Sequence, residues 1–287
     1  MNNNVAPGPG DIALNPLPDT NATALRNYTQ SYVYDELGNM EQMSHSAVGG
    51  SWNRYYHYND PFSNNQLLST SPDNVQPTND QYTYDAHGNM TSMPHLASMV
   101  WDEGDRLRSA NLGGGGNVYY QYDAGGERVR KVIINGNVRD ERIYQGGVWE
   151  IYRKTVNSVL DTERSSVHIS DDTGRVCMID SLLVDGGSIV SSPTLQYRYL
   201  LSNHLGSSSI ELDEVAALIS YEEYYPFGSS SYRSGRNAAE ASLKRYRYVD
   251  KERDDETGLY TITGLDIMRV GWRGLFLLTR LKISIRS

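Results

Sequence analysis

Three carboxylates stand in succession at Asp254-Asp255-Glu256. Two carboxylates close enough to share one proton can serve as an acid and a base. The run precedes Gly258, however, and there a solvated turn is the ordinary reading. Asp171-Asp172 reads as a turn as well. Glu222 and Glu223 are neighbours on a predicted strand, so they face opposite sides, which argues against a shared carboxylate site. His204 lies in Asn-His-Leu-Gly, and the six histidines are scattered without ligand spacing. A hydrogen-bonded structural role is expected for it. The single cysteine, Cys177, excludes an internal disulfide framework and a cysteine-based zinc site. Its flanks alternate like a strand, so a buried structural thiol is expected. Gly113–Gly116 precede a strand and not a helix, so they are not a phosphate loop. No catalytic, cofactor-binding or metal-binding residue is assigned, and no cofactor is expected.

The elements that carry these residues are hairpins. Tyr32-Val-Tyr34 alternates with period two, and Asp35-Glu-Leu-Gly38 follows as a turn. Aspartate bonds back to the backbone in such turns, and glycine accepts positive φ. The unit returns as Tyr84-Asp85-Ala-His-Gly88-Asn-Met and as Tyr122-Asp123-Ala-Gly-Gly126-Glu. Trp101-Asp102 heads a degenerate copy. Each copy predicts a hairpin unable to bury its own face, so the copies predict an array. Asp172-Thr-Gly174 and Asp185-Gly-Gly187 predict further turns. Ala238–Lys244 alone suggests a short helix. The expectation is all-β, with strands of about five or six residues.

Composition agrees. Tyrosine is abundant (22) and phenylalanine scarce (3), which suits half-exposed sheets where the ring packs and the hydroxyl stays wet. The net charge is −9 and no long basic run precedes the last segment, which argues against nucleic acid as a partner. No apolar stretch is long enough to span a membrane. Residues 1–30 read as a Pro/Asn/Gly-rich linker without the basic start and apolar run of a signal peptide.

The Tyr-Asp-x-x-Gly-Asn units, Tyr199–Gly228 and Lys244–Tyr260 together resemble the YD-repeat, or Rhs (rearrangement hotspot), proteins. His204-Leu205-Gly206 opens a strand of the family's core signature, and Pro226-Phe227-Gly228 closes the next. Lys251-Glu252-Arg253 and Glu256-Thr257-Gly258-Leu259-Tyr260 match the start of the Rhs-associated core motif. The resemblance covers most of residues 30–260. It implies a spiral sheet of chained antiparallel hairpins, similar to the C subunits of insecticidal toxin complexes, that forms a hollow shell around a C-terminal toxin domain.

The tail departs from that pattern. After Gly-Leu-Tyr the family runs close to Tyr-Tyr-Gly-Ala-Arg-Tyr-Tyr and on to Arg-Phe-x-Ser-x-Asp-Pro. Here residues 261–287 hold no tyrosine and no Asp-Pro, and they turn basic. One permitted codon set, with a single T restored after Tyr260, reads Tyr-Tyr-Tyr-Gly-Ala-Arg-Tyr-Tyr-Ala. Later codons permit Trp, Arg, Phe, Ser, Asp and Pro in family order, though not the family's Pro after Ala or its Gly before Arg-Phe. Residues 261–287 are therefore expected to be an out-of-frame tail.

The expected division is a linker over 1–30, YD-repeat hairpins over 31–157, the Rhs-associated core over 158–260, and the tail. The first functional expectation is a fragment of a toxin shell, inactive alone, whose partners are the remaining shell strands and a C-terminal toxin domain. The linker-like opening suggests upstream repeats. Exposed sheet edges would favour aggregation. The parent would be secreted or delivered to a cell surface, and this chain would be cytoplasmic unless a dedicated system exports it. A second expectation is a carbohydrate or cell-surface binding module, with Trp52, Tyr55, Tyr56 and Tyr58 as sugar-stacking candidates. A third follows from the resemblance: an aspartic autoprotease core whose Asp motif is lost in the tail.

Overall fold

In the computed structural model, residues 15–16, 27–58, 65–75, 80–261, 267–270 and 275–277 are described. About 60% of them lie in strands, nearly all antiparallel and joined in sequence order. A first sheet holds Tyr28–Tyr34, Met40–Ala47, Trp52–Tyr58, Leu67–Ser71 and Asp80–Gln81. A two-stranded piece, Thr83–Tyr84 with Met90–Ser92, leads to the main sheet. That sheet runs hairpin by hairpin from Ser98–Trp101 to Ser230–Gly235, and Asn15–Pro16 pairs in parallel with its last strand. The fold is all-β, a large sheet of chained antiparallel hairpins. The expected strand length is exceeded in the middle, where Val159–Asp171 spans 13 residues and Gly174–Asp185 spans 12. Among the described residues, helix is limited to Ala238–Ala241, capped by the Asn237 side chain, and a single 3-10 turn at Tyr248–Asp250.

The repeat earns its recurrence in two ways. Its aspartate closes the turn: Asp35 Oδ1 accepts the Leu37 and Asn39 amides at 2.9 and 2.7 Å, and Asp85 Oδ1 accepts those of His87 and Asn89, both at 2.9 Å. Asn39 and Asn89 donate back to the second carboxylate oxygen. The glycine takes the left-handed position that a Cβ disfavours, with φ of +83° at Gly38, +90° at Gly88 and +86° at Gly126. In the degenerate copy Asp102 does the same work, Arg106 replaces the asparagine as donor, and Asp105 occupies the left-handed position at φ +58°.

The aromatic residue before the aspartate ties each hairpin to an earlier one. The Tyr84 hydroxyl donates to the Leu67 carbonyl at 3.0 Å, Trp101 Nε1 to Met90 at 2.8 Å, and the Tyr122 hydroxyl to Leu107 at 2.9 Å. Trp101 thus performs the tyrosine's task with a different donor. Tyr34, in the first described copy, is 48% exposed. Consecutive hairpins are stitched by one sequence-local bond each, which is why the unit must repeat.

A continuous apolar core lies under the first hairpins. It gathers Met43, Leu67, Met90, Leu96, Leu107, Val118 and Tyr120, all buried, and Leu259 enters it from the far end of the chain. Cys177 is buried on its strand, and burial pushes its thiol up.

Candidate functional site

Beyond Tyr122 the inward face of the main sheet changes character. The residues that alternation turns inward include Arg128, Lys131, Glu150, His168, Asp180, Arg198, Glu211 and Glu222, all buried. Charges do not stay buried without partners. Lys244–Tyr260 supplies many of them by running back across that face as a strap.

The strap engages the strands in turn. Asp254 accepts Arg128 Nη1 at 2.7 Å and Lys131 Nζ at 2.7 Å. Glu252 accepts Arg128 Nη2 at 2.6 Å and the Tyr144 hydroxyl at 3.2 Å. Arg245 Nη2 donates to Glu150 at 2.7 Å, where Arg142 Nη1 (3.1 Å) and the Tyr246 hydroxyl also bind and His168 Nε2 lies 3.0 Å away. The Arg175 guanidinium sits 3.4 Å from the centre of the Tyr246 ring and donates to Asp250. Farther along, Glu222 receives Lys244 at 3.2 Å and Arg247 at 3.2 Å, with Ser230 as a further donor.

The electrostatics follow from that geometry. Burial alone would raise the Glu222 carboxyl, but Arg247, Lys244 and Arg233 outweigh it and hold it at about 2. Burial likewise opposes ionisation of Asp254, yet Arg128 and Lys131 bring it to about 2. Glu150 is held well below the carboxylate range against its burial by Arg245, the adjacent His168 and Arg142. Glu256 goes the other way: burial raises its carboxyl, and Asp254 adds to the rise against the pull of Lys131.

Several sequence expectations change here. Asp254-Asp255-Glu256 is not a solvated turn: Asp254 is buried and Glu256 faces Lys131 at 3.1 Å, while only Asp255 is exposed. Sequence-local reasoning missed this because the counter-charges lie more than a hundred residues away. Asp254 and Glu256 serve as anchors of a salt-bridge group. His204 is not a hydrogen-bonded structural residue. It is exposed at the second position of a turn closed by Asn203, whose Oδ1 accepts the Leu205 and Ser207 amides at 2.9 and 3.0 Å. Leu205 is exposed too, and Gly206 takes φ +77°. This is the same turn that the Tyr-Asp units make. Asp213–Ala217 repeats it, with Ala216 left-handed at +59°. Tyr225-Pro226-Phe227-Gly228 repeats its backbone bonds, with Gly228 at +83°. The Tyr224 hydroxyl there donates to Ser208, as Tyr84 and Tyr122 donate to their own earlier hairpins.

The rest of the signature holds the strap down. The Tyr248 hydroxyl donates to Pro226, and Phe227 packs edge-on against Tyr32. Lys251 closes a tight turn with Arg247, and Arg253 pairs in register with Tyr260. The Thr257 carbonyl meets His95 Nε2 at 2.8 Å, Gly258 turns at φ +68°, and Leu259 and Tyr260 are buried. Glu222 is buried and Glu223 half-exposed on opposite sides of their strand. Of the sugar-stacking candidates, Tyr56 is buried in the core, Tyr58 donates to Met40 and Trp52 stacks on His45 at 4.8 Å. Only Tyr55 is without such a role. Among the described residues no His, Cys, Asp and Glu group could hold a metal, and no helix is long and apolar enough to cross a membrane. The expectations for most of residues 1–26 and most of 262–287 lie outside the described residues; Asn15–Pro16 pairs with Ser234–Gly235, and within the tail Ile267–Val270 pairs with Leu259–Thr261.

Comparisons with known proteins match this all-β chain of hairpins to toxin subunits. The chain is 31% identical over 252 residues to toxin subunit YenC1 of Yersinia entomophaga, covering 83% of this chain and 25% of that protein. It is 30% identical over 257 residues to toxin subunit YenC2 of the same organism, covering 85% and 26%. Among solved structures it superposes on a TcdB2–TccC3 crystal structure with a TM-score of 0.73 at 26% identity, covering 88% of this chain and 12% of that one. A Tc holotoxin pore of Photorhabdus luminescens gives a TM-score of 0.74 at 25% identity, covering 90% and 12%. No family model matches. These likenesses are consistent with an Rhs, or YD-repeat, protein like the C subunits of insecticidal toxin complexes. It spans about a quarter of the length of the curated relatives.

Proposed function

We propose that this chain is one section of the wall of a toxin shell, which with further strands encloses and delivers a C-terminal effector, and that the section has no catalysis of its own. The observation that carries this is the strap. It crosses the inward face of the sheet and covers much of it with ion pairs and hydrogen bonds made within the chain, as a wall requires. The partners on this reading are the remaining shell strands and the enclosed effector, and the whole is exported. The out-of-frame origin of residues 261–287 is part of the same proposal, and the genomic DNA across codon 260 tests it by whether a neighbouring frame resumes Gly-Ala-Arg-Tyr-Tyr.

The test of the wall is protection. The segment Tyr28–Tyr260 replaces its counterpart in a toxin-complex C subunit that carries a protease-sensitive reporter as its C-terminal cargo. The reporter is expected to survive protease in the assembled shell and to be digested when the shell is opened. Digestion at the rate of the free reporter, from a shell that assembles normally, would sink the proposal.

A further inference from the structure

One row of the inward face is cationic. Lys131, Arg142, Tyr152, Arg164 and Leu182 stand opposite one another across five consecutive strands. The neighbouring row, Glu150, Ser166 and Asp180, provides acids. Arg142 reaches Glu150 at 3.1 Å, and Lys131 is taken by Asp254 and Glu256. The corresponding partner for Arg164 would be Asp180, but that carboxylate accepts Ser166 and leans toward Arg198 at 3.8 Å. Asp140 is taken by the Tyr152 hydroxyl. Among the described residues, Arg164 has no carboxylate within ion-pair distance.

Arg164 also stands where a ligand can reach it. It lines a cavity of about 290 Å³ between the sheet and the strap, together with Arg245, Tyr152 and Leu243, and a second of about 370 Å³ beside Asp180 and Gln196. Burial lowers the affinity of this guanidinium for its proton; Asp180 opposes that, but Arg245, Arg142 and Arg198 add to it and the net direction is down, so an added negative charge there is favoured. The flat fork of a guanidinium fits a carboxylate in two parallel bonds. One uncompensated cation, with Asp140, Asp255 and Glu256 on the same cavity wall, matches a single negative charge better than a phosphate dianion. Tyr152 and Leu243 give a carbon chain something to lie on.

We propose that Arg164 is the anchor of a carboxylate-binding site in the cleft between the sheet and the strap, filled by an organic monoacid or by an acidic side chain of another polypeptide segment. The proposal stands apart from the wall reading, because it concerns one chain and one cavity.

Two probes test it on the full chain at constant ionic strength, by calorimetric titration. One is N-acetyl-glutamic acid α-amide, which carries a single side-chain carboxylate. Its neutral counterpart, N-acetyl-glutamine α-amide, is the control. Saturable binding of the acid alone is expected, weakened about tenfold or more in Arg164→Gln. Should that variant fail to fold, Leu182→Glu gives a second arm. It places a carboxylate opposite Arg164 in the same row, so it should raise Tm and abolish binding of the acid. A short glycine-flanked peptide with one glutamate distinguishes the source. Tighter binding than the small acid supports a polypeptide ligand, and equal or weaker binding supports a free acid. Equal affinity for the neutral probe, undiminished binding by a folded Arg164→Gln, or binding of neither the acid nor the peptide would overturn the site.

Discussion

The two halves of this chain surround two different interiors. From Met40 to Tyr120 the inside is mainly methionine, leucine, valine and tyrosine, with Arg54 and His45 buried among them. From Arg128 to Ser234 it is mainly arginine, glutamate, aspartate and serine, with Met178 and Ile219 buried among them, and the strap closes it. The side-chain-closed turn and its hydroxyl tie return beyond Asn203, while the strands from Arg128 to Asp185 are joined by two-residue turns such as Gly136-Asn137 and Asn157-Ser158. The repeat therefore fixes the path of the chain and leaves the interior free to vary. An apolar interior tolerates any apolar cover. An ionic one needs a cover whose charges fall in register, because an unmatched buried charge is far costlier than an unmatched methyl group.

That contrast can be broken first at Glu222. Glu222→Gln leaves Lys244 and Arg247 facing each other without their carboxylate. A loss of about 3–5 kcal/mol is expected in denaturant melts. Leu107→Ala, in the apolar half, should cost about 2–5 kcal/mol and show no change with salt or as pH falls from about 5 to about 2. If the two variants responded alike to salt and acid, the division into two interiors would be wrong.

Smaller effects sharpen the shared part. Gly88→Val forces a β-branched residue into φ +90°, and a loss of about 1–3 kcal/mol is expected by circular-dichroism melting. No loss would mean that the turn is not the one described. Ala216 already bears such a strain on an exposed turn at φ +59°. Ala216→Gly should gain about 0.5–1 kcal/mol, the relief of the left-handed strain less the freedom glycine adds to the unfolded chain.

Much of the fold was legible. Asp35, Asp85 and Asp123 each announce a hairpin, because the bonds that close it lie within four residues. What was hidden is what is not local. The partners of Asp254 and Glu252 are Arg128 and Lys131, and nothing within ten residues of the run betrays them. A signal was present all the same. Lys131, Arg142, Glu150 and Glu222 occupy alternate positions that point inward, and the strap mixes both signs with tyrosine. Reading charged residues at inward positions as a demand for a charged cover would have found it. The kinship of the Asn203 and Tyr225 turns with the Tyr-Asp turns was hidden for another reason: backbone bonds define the turn, and the side chain that closes it can differ.

The most direct test is amide hydrogen exchange, read strand by strand, as pH is lowered. Glu222 and Asp254 sit at about 2 in the folded chain and near about 4 when unfolded. The stabilisation from their depressed values is therefore complete above about pH 4 and is lost as pH falls toward 2. Protection is expected to fail first in the strands from Arg128 to Gly235 and in the strap, while Met40–Tyr122 stays protected. Simultaneous loss in both halves, or earlier loss in the apolar one, would contradict the claim that ion pairs with the strap hold the second interior together.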